Sequence, residues 1–503
     1  MRRSVAMTAS THSGLSGHLL RADGQEDLCF ATWHPSTGHG RLTAILGRPI
    51  LPGDGDRHVH GNASFEANYA LRAAQEAARA GAGLAFAHSH PRGRGRQALN
   101  PIDQVAESRI ANLAREITGL PLVGLTVAGD GSWSARIWSG LGPSVAPGLC
   151  DSVRVIGDTL SVTFDDNLAP RPDTAAAQVR TVNTWGDEIQ ATIARLRVAV
   201  AGVGSVGMDA AELLARTGIE HIGVFDFDTV ETVNRDRLRG AGALDACLKR
   251  SKAHVARRLL AQASTALRAK HEFHELSICE PEGLRRLLDF DLIFSCVDRP
   301  WPRHVLNTIA YADLIPVIDG GLLAFRNSDG SFRNAYWRSA VVRPGRPCLV
   351  CLGQYDPGIV QVERDGSLDD PSYIANLPPD SPLRRRENVA GIAVSVTAAL
   401  LQQFISYLAH PSGFGDPGPL RFNLRHPTLV EMGHGSCESG CPYQLTAGCG
   451  DARLDPSASH EAARKARRDR AAVSASVHLA RQLDDLLFAS GEWLTGWASR
   501  LDT

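Results

Sequence analysis

Three sets of residues in this sequence have types and spacings that suit chemistry. His88 and His90 stand one residue apart in "FAHSHP", and Asp103 in "NPID" follows thirteen residues after the second. On a strand, residues i and i+2 face the same way, and an aspartate opening the next helix supplies a third ligand for one metal ion. A catalytic zinc keeps its fourth position for water, and a separate carboxylate must take the proton. The second set is four cysteines, Cys348 and Cys351 in "CLVC" and Cys437 and Cys441 in "CESGC". Two close pairs present four thiolates to one tetrahedral structural Zn2+. The third is the glycine run "GVGSVG", with Gly202, Gly204 and Gly207 placed where a strand gives way to a helix. Such a turn lets phosphate oxygens approach backbone amides at a helix N-terminus.

The residues after the glycine turn narrow its ligand. Asp226 lies 24 residues beyond Gly202 at the end of the next strand, where a carboxylate accepts hydrogen bonds from a ribose. A nicotinamide needs an apolar slot, whereas a triphosphate being cleaved needs several cations and a carboxylate for magnesium. Arg237, Lys249, Arg250, Lys252 and Arg303 follow near the same strand ends, and Asp298 stands at the tip of a third strand. The balance favours ATP with Mg2+. A second H-x-H, His58 and His60 in "RHVHG", has no carboxylate in a matching frame and reads as a surface turn.

The elements that must position these residues fall into about three units, as 503 residues suggest. Residues 18–140 alternate short β-rich runs with one alanine-rich helix and read as a compact α/β domain. Residues 141–179, rich in Pro, Gly and Asp, read as a linker. From Arg197, continuous apolar strands alternate with helices, predicting a doubly wound, Rossmann-like parallel sheet within residues 180–450. Residues 451–503 read as a charged and then amphipathic helical tail. The apolar run Val389–Leu408 approaches membrane-spanning length but is rich in alanine and broken by Gln402 and Gln403, so it reads as a core helix.

Composition excludes several classes. With 21% charged residues and a formal net charge of −1, the sequence has no basic footprint for nucleic acid and none for an anionic membrane surface. The arginines at the N-terminus have no apolar segment behind them, so no secretory signal is expected. Ten cysteines, several in close pairs, suit a reducing compartment, and the expected location is the cytoplasm.

"GVGSVG", "DFDTVETVNRDR", "KRSK", "CVDRPWPRHVLN" and the two cysteine pairs, in this order from about Arg180 to Cys441, resemble the ThiF/MoeB/HesA and ubiquitin-activating family of adenylating enzymes. The resemblance implies that the C-terminal carboxylate of a ubiquitin-like or sulfur-carrier protein attacks the α-phosphate of ATP, giving an acyl adenylate and pyrophosphate. It implies that Gly202, Gly204 and Gly207 form the phosphate turn and that Asp226, with Asp228 beside it, holds the ribose. Asn234, Arg237, Lys252 and Arg303 would contact phosphates, and Asp298 would bind Mg2+. Arg180 stands near the place from which the family lends an arginine across a homodimer, and Arg299 replaces a residue that is more often small or an amide. Many ubiquitin-activating relatives pass the acyl group to a cysteine. The segment after the first cysteine pair has none, which leaves Cys449 in "TAGCGDA" as the nearby candidate.

"HSHP" with "NPID" is similar to the JAB/JAMM metallopeptidase signature, and "GQEDLCFATW" resembles that family's first strand. By this resemblance His88, His90 and Asp103 ligate Zn2+, Glu26 is the general acid/base, and Asn100 replaces a serine that helps to stabilise the oxyanion. A JAB-like domain joined to an adenylating domain resembles bacterial ubiquitin-like conjugation systems, including those of antiviral defence, and implies a conjugating enzyme as a further partner. The alternatives are adenylation of a sulfur carrier for cofactor or cysteine synthesis, a Rossmann-type oxidoreductase with a structural zinc, and a non-catalytic scaffold.

Overall fold

The computed structural model describes the chain except residues 141, 379–380, 382–386, 434 and 500–503, and except the side chains of residues 143 and 491–499. Two sheets organise it. The first is built from β1 (Arg2–Thr8), β2 (Leu28–Thr37), β3 (Arg41–Ile50), β6 (Gly83–His90), β7 (Val123–Ala128), β8 (Trp133–Ser139), β9 (Ala146–Leu149), β10 (Ser152–Ile156) and β11 (Leu160–Phe164), in the order β11-β10-β1-β3-β2-β6-β7-β8-β9. β4 (Arg57–His60) and β5 (Asn62–Phe65) form a separate hairpin, so His58 and His60 lie on a strand rather than in a simple turn. The helix Ala67–Arg79 buries Tyr69, Ala70, Ala73, Ala74 and Ala77, a 3.6-residue stripe that packs with Phe30 and Phe86 of the sheet.

This sheet is larger than the expected 18–140 domain. β1 pairs in parallel with both β3 and β10, which draws in residues before 18. Residues 146–164, expected to be linker, supply three of its strands. The β1–β10 pairing joins Ser4 to Ser152, far apart in the chain, and local turn composition carries no trace of it.

The second sheet uses β12 (Arg197–Ala201), β13 (His221–Phe225), β14 (Glu272–His274), β15 (Leu292–Ser295), β16 (Val317–Arg326), β17 (Phe332–Val342), β18 (Leu420–Asn423) and β19 (Thr428–Glu431), in the order β14-β13-β12-β15-β16-β17-β18-β19. β14 to β16 are parallel, and β17 to β19 extend the edge antiparallel. The order reverses at β12, which has β13 on one side and β15 on the other. In open α/β sheets, ligands bind in the crevice at such a point, outside the carboxyl ends of the strands. The antiparallel extension goes beyond the expected parallel sheet.

The helix Ala390–Ala409 is long and apolar enough to cross a membrane, but here Val396, Leu400, Phe404 and Tyr407 are buried against the sheet and the helix Ser205–Arg216. In the tail, helix Glu461–Ala471 is followed by helix Ala475–Ser499; the side chains of its last turns and residues 500–503 lie outside the described residues.

A buried charge cluster joins the two sheets. Arg41 of β3 and Arg154 of β10, both essentially inaccessible, reach Asp291 at the start of β15, Arg154 at 2.9 Å. The carboxylate of Asp289 accepts from the backbone N–H groups of Gly40 and Arg41. Burial would raise the pKa of Asp291, but Arg41 and Arg154 hold it well below the usual carboxylate range.

Candidate adenylation cleft and metal centres

At the switch point, β12 ends in the glycine turn and the helix Ser205–Arg216 begins, capped by Gly204. Gly202 has φ +82°, and a Cβ there would sit 2.9 Å from the carbonyl oxygen of Cys296. A Cβ on Gly207 would lie 1.9 Å from the carbonyl oxygen of Gly202, so neither position admits a side chain. Gly204 differs: nothing stands within 4 Å of a Cβ there. The open space at the helix N-terminus suits an incoming phosphate.

Asp226, at the end of β13, accepts hydrogen bonds from the backbone N–H of Val203 at 2.9 Å and of Asp228 at 2.8 Å. Burial raises its pKa to about 6, against the pull of Lys252. Lys252 opens the helix Lys252–Ala263 and donates from Nζ to Asp228 Oδ2 at 2.7 Å. Burial lowers its pKa, but Asp226 and Asp228 more than compensate, and Asp298 adds to them, so the ammonium stays charged. Asp298 is exposed just beyond β15. The fold therefore gathers Gly202, Gly204, Gly207, Asp226, Asp228, Lys252 and Asp298 at one crevice. Asp298 is an open carboxylate close to a fixed cation and the phosphate turn, a donor that suits Mg2+.

Other expected contacts are engaged locally. Asn234 Oδ1 accepts from the N–H of Glu231, capping its own turn. Arg237 donates to the carbonyl of Val233 and to Asp236, both at 2.7 Å. Arg250 is buried and bonded to Asp484 and Asp485 of the last helix, so it anchors the tail rather than facing the crevice. Arg299 pairs with Asp369 at 2.7 Å, and Arg180 is exposed on the helix Val179–Trp185. Arg303 folds back to donate to the carbonyl of Val297 at 2.8 Å.

Residues not foreseen complete the cleft. Asn388 Nδ2 donates to Ser205 Oγ at 3.0 Å, while its buried Oδ1 has no hydrogen-bond partner among the described residues. Glu363, buried on the helix Pro357–Arg364, accepts from the N–H of Trp301 at 2.7 Å, and burial lifts its pKa to about 7. Only the Asn388 position, just before an apolar helix, carried a sequence signal.

The four cysteines converge although the pairs lie far apart in the chain. One sulfur atom from each of Cys348, Cys351, Cys437 and Cys441 lies within 4.8 Å of the others, with Cys348 and Cys441 at 3.7 Å. Zinc–sulfur bonds of about 2.3 Å in a tetrahedron place sulfurs roughly 3.8 Å apart, so this donor set fits zinc. Cys449 lies elsewhere, in the turn before the tail, where Gly450 packs on Pro35 of β2. Burial, and next Asp313, raise its thiol pKa.

In the first sheet, His88 and His90 end β6 and Asp103 lies in the first turn of the helix Pro101–Thr118, capped by the Asn100 side chain, which accepts from the N–H of Asp103 at 2.8 Å. Asp103 Oδ2 is 3.6 Å from Nε2 of each histidine. His90 Nδ1 meets Gln97 Oε1 at 3.2 Å, which turns Nε2 inward. Buried Asp103 Oδ2 and His88 Nδ1 have no hydrogen-bond partner among the described residues, and unmatched polar atoms on converging ligands fit a metal ion. Leu28 pairs with His88, so the antiparallel register carries Glu26 across from His90, on whose charge it acts. Glu107, one helical turn beyond Asp103, lies 3.9 Å from His88 Nδ1 and is held by Arg136 and Trp138. The i, i+4 spacing of Asp103 and Glu107 was the available sign of it.

Residues 176–408 match the model of the ThiF family. The probable adenylyltransferase/sulfurtransferase MoeZ of Mycobacterium tuberculosis is 28% identical over 155 residues, covering 31% of this chain and 38% of its own length. The molybdopterin-synthase adenylyltransferase of Escherichia coli is 26% identical over 158 residues, 31% of this chain and 59% of its own. The ubiquitin-like modifier-activating enzyme 5 of Mus musculus is 33% identical over 125 residues, 22% and 29%. The chain thus spans less than two thirds of the length of each of these relatives. A crystal structure of E. coli MccB with ATP superposes with a TM-score of 0.40 at 16% identity, over 52% of this chain and 73% of that one.

Proposed function

We propose that this chain is an ATP-dependent adenylyltransferase acting on the C-terminal carboxylate of a small carrier protein, and that a sulfur carrier is the first class to test. The convergence of Asp226, Lys252 and Asp298 around the glycine turn carries the reading. The match to the ThiF family supports it, and relatives named for sulfurtransferase and molybdopterin-synthase chemistry favour the sulfur-carrier class.

Asp226 would accept the ribose hydroxyls. The amides of the turn and Lys252 would draw charge from the phosphates, and the Asp298 carboxylate would hold Mg2+, which supplies charge neutralisation on the phosphates when bound. A carboxylate oxygen of the carrier bonds to the α-phosphorus as the bond to the bridging oxygen breaks, and pyrophosphate leaves with the electron pair. Fixed cations placed where that charge develops are the main contribution such a site makes. The cysteine cluster would hold Zn2+ and fix the chain around it.

The His88, His90 and Asp103 cluster favours a second reading, conjugation of a ubiquitin-like protein. In it the first domain would bind Zn2+ through those three residues, with Glu26 positioned to take a proton from water, and would trim or release the same C-terminus. Radiolabelled pyrophosphate exchange into ATP, run with candidate carriers, tests the adenylation: wild type exchanges, and Lys252→Ala and Asp298→Ala do not. A carrier thiocarboxylate then marks the sulfur route, and an isopeptide-linked product marks conjugation. Absence of exchange with every carrier would overturn adenylation.

A further inference from the structure

The crevice has two sides, and the nucleotide accounts for one. Asp226 and Lys252 lie on the β13 side of the glycine turn. On the other side, where Ser295 at the end of β15 meets Asp319 near the start of β16, two arginines share one carboxylate. Asp319, whose side chain is inaccessible, accepts from Ser295 Oγ at 2.6 Å and from Arg338 Nη1 at 3.0 Å, and lies 3.7 Å from Arg303 Nε. That Arg303 Nε is buried and has no hydrogen-bond partner among the described residues. The local balance is two guanidinium groups against one carboxylate, with both arginine side chains nearly buried.

Both guanidiniums converge over a gap in the side-chain layer. A Cβ on Gly321 would lie 3.2 Å from Arg303 Nη2 and 3.4 Å from Arg338 Nη2. Gly321 faces the crevice, whereas a Cβ on its neighbour Gly320 would meet Leu400 in the core. The pair is also continuous with the phosphate turn, because Arg303 bonds the carbonyl of Val297 and Val297 Cγ1 lies 3.4 Å from the Cβ position of Gly202. Outward along the same sheet, Arg421 of β18 pairs opposite Arg338 and lies over the Tyr336 ring.

A buried excess of positive charge with an unmatched donor calls for an anion. Lys252 stands on the opposite side of the turn, with Asp226 and Asp228, and the attacking group must reach the α-phosphate from a side the nucleotide leaves open. We propose that Arg303 and Arg338, held by Asp319, bind the free C-terminal carboxylate of the partner polypeptide, with the side-chain-free surface at Gly321 admitting its last residues. This rests on the adenylation reading. Asp319 positions the arginines, which touch the substrate.

The test uses the full chain and a fluorescein-labelled decapeptide ending in two glycines, as the free acid and as the C-terminal amide, with a non-hydrolysable ATP analogue and Mg2+. Anisotropy should show wild type binding the acid about tenfold or more tightly than the amide, the discrimination expected when a buried cation loses its charged partner. Arg338→Gln should abolish the difference and Arg338→Lys restore part of it, with calorimetric affinity for the ATP analogue unchanged in both; a lower melting temperature is expected of Arg338→Gln, because Asp319 loses its buried partner. Equal binding of acid and amide by wild type, or binding of neither, overturns the proposal. So does an Arg338→Gln loss that falls on the ATP analogue, because the pair would then serve the triphosphate. If wild type binds the analogue and still does not discriminate the peptides, this inference alone fails. If wild type binds no analogue, the adenylation reading fails with it.

Discussion

Asp226 holds the backbone N–H of Val203 at 2.9 Å, tying the end of β13 to the middle of the glycine turn that follows β12. The residue expected to meet the ribose therefore also sets the shape of the loop expected to meet the phosphates.

Two glycines of that loop, Gly204 and Gly207, should separate shape from binding. Gly207→Ala places a methyl group 1.9 Å from a carbonyl oxygen and should cost about 3 kcal/mol in unfolding free energy. Gly204→Ala meets open space, so its melting temperature should match wild type while calorimetric ATP affinity falls. Equal melting of all three proteins would refute the steric argument.

Asp313 should make stability depend on pH. It is buried between the sheets, accepting from Ser36 Oγ at 2.7 Å and Arg453 at 2.9 Å, and burial raises its pKa to about 6. A carboxyl whose folded pKa lies above its unfolded value favours folding when protonated. Its contribution is full below about pH 4 and lost as pH rises through about 6. Asp313→Asn, which cannot ionise, should gain on wild type by up to about 3 kcal/mol across that interval, read from urea unfolding at each pH. A difference independent of pH would show that Asp313 does not titrate.

Metal content should divide by site. Purified wild type should carry zinc at both clusters. Cys348→Ser with Cys351→Ser should lose the structural equivalent and melt at lower temperature, because binding free energy there is folding free energy. His88→Ala with His90→Ala should lose the other equivalent. Glu26→Gln should keep the metal and lose any isopeptide cleavage. Metal analysis by mass spectrometry checks each count, and retention of full zinc by the histidine variant would remove the second site.

Cys449 should be a poor nucleophile. Burial raises its pKa, and the thiolate is the reactive form. Iodoacetamide at neutral pH should label exposed Cys247 first and Cys449 slowly. Rapid labelling of Cys449 would restore it as a thioester candidate.

The site was legible where its signal fits within one turn of chain. "GVGSVG", "CLVC" and "HSH" each state their geometry locally, and the structure brings each set together. What was hidden depends on distant partners. Arg250 looked like one more phosphate cation until Asp484, 234 residues later, took its guanidinium. Arg2–Thr8 falls outside the expected 18–140 domain and becomes an interior strand because β3 and β10 flank it. Arg338 comes within reach of Asp319 only once β16 and β17 pair antiparallel, with Arg338 opposite Gly321.

The cluster of Arg41, Arg154 and Asp291 bears on how such a chain can be cut or rearranged. Severed near residue 170, the first part would keep the buried guanidiniums of Arg41 and Arg154 without Asp291, and the remainder would present Asp289 and Asp291 to water where they now hold backbone and arginine. Removing one partner from a buried ion pair typically costs about 3–5 kcal/mol, a large share of a domain's whole stability. Recombination that swaps either part for a foreign one must therefore carry this seam across intact.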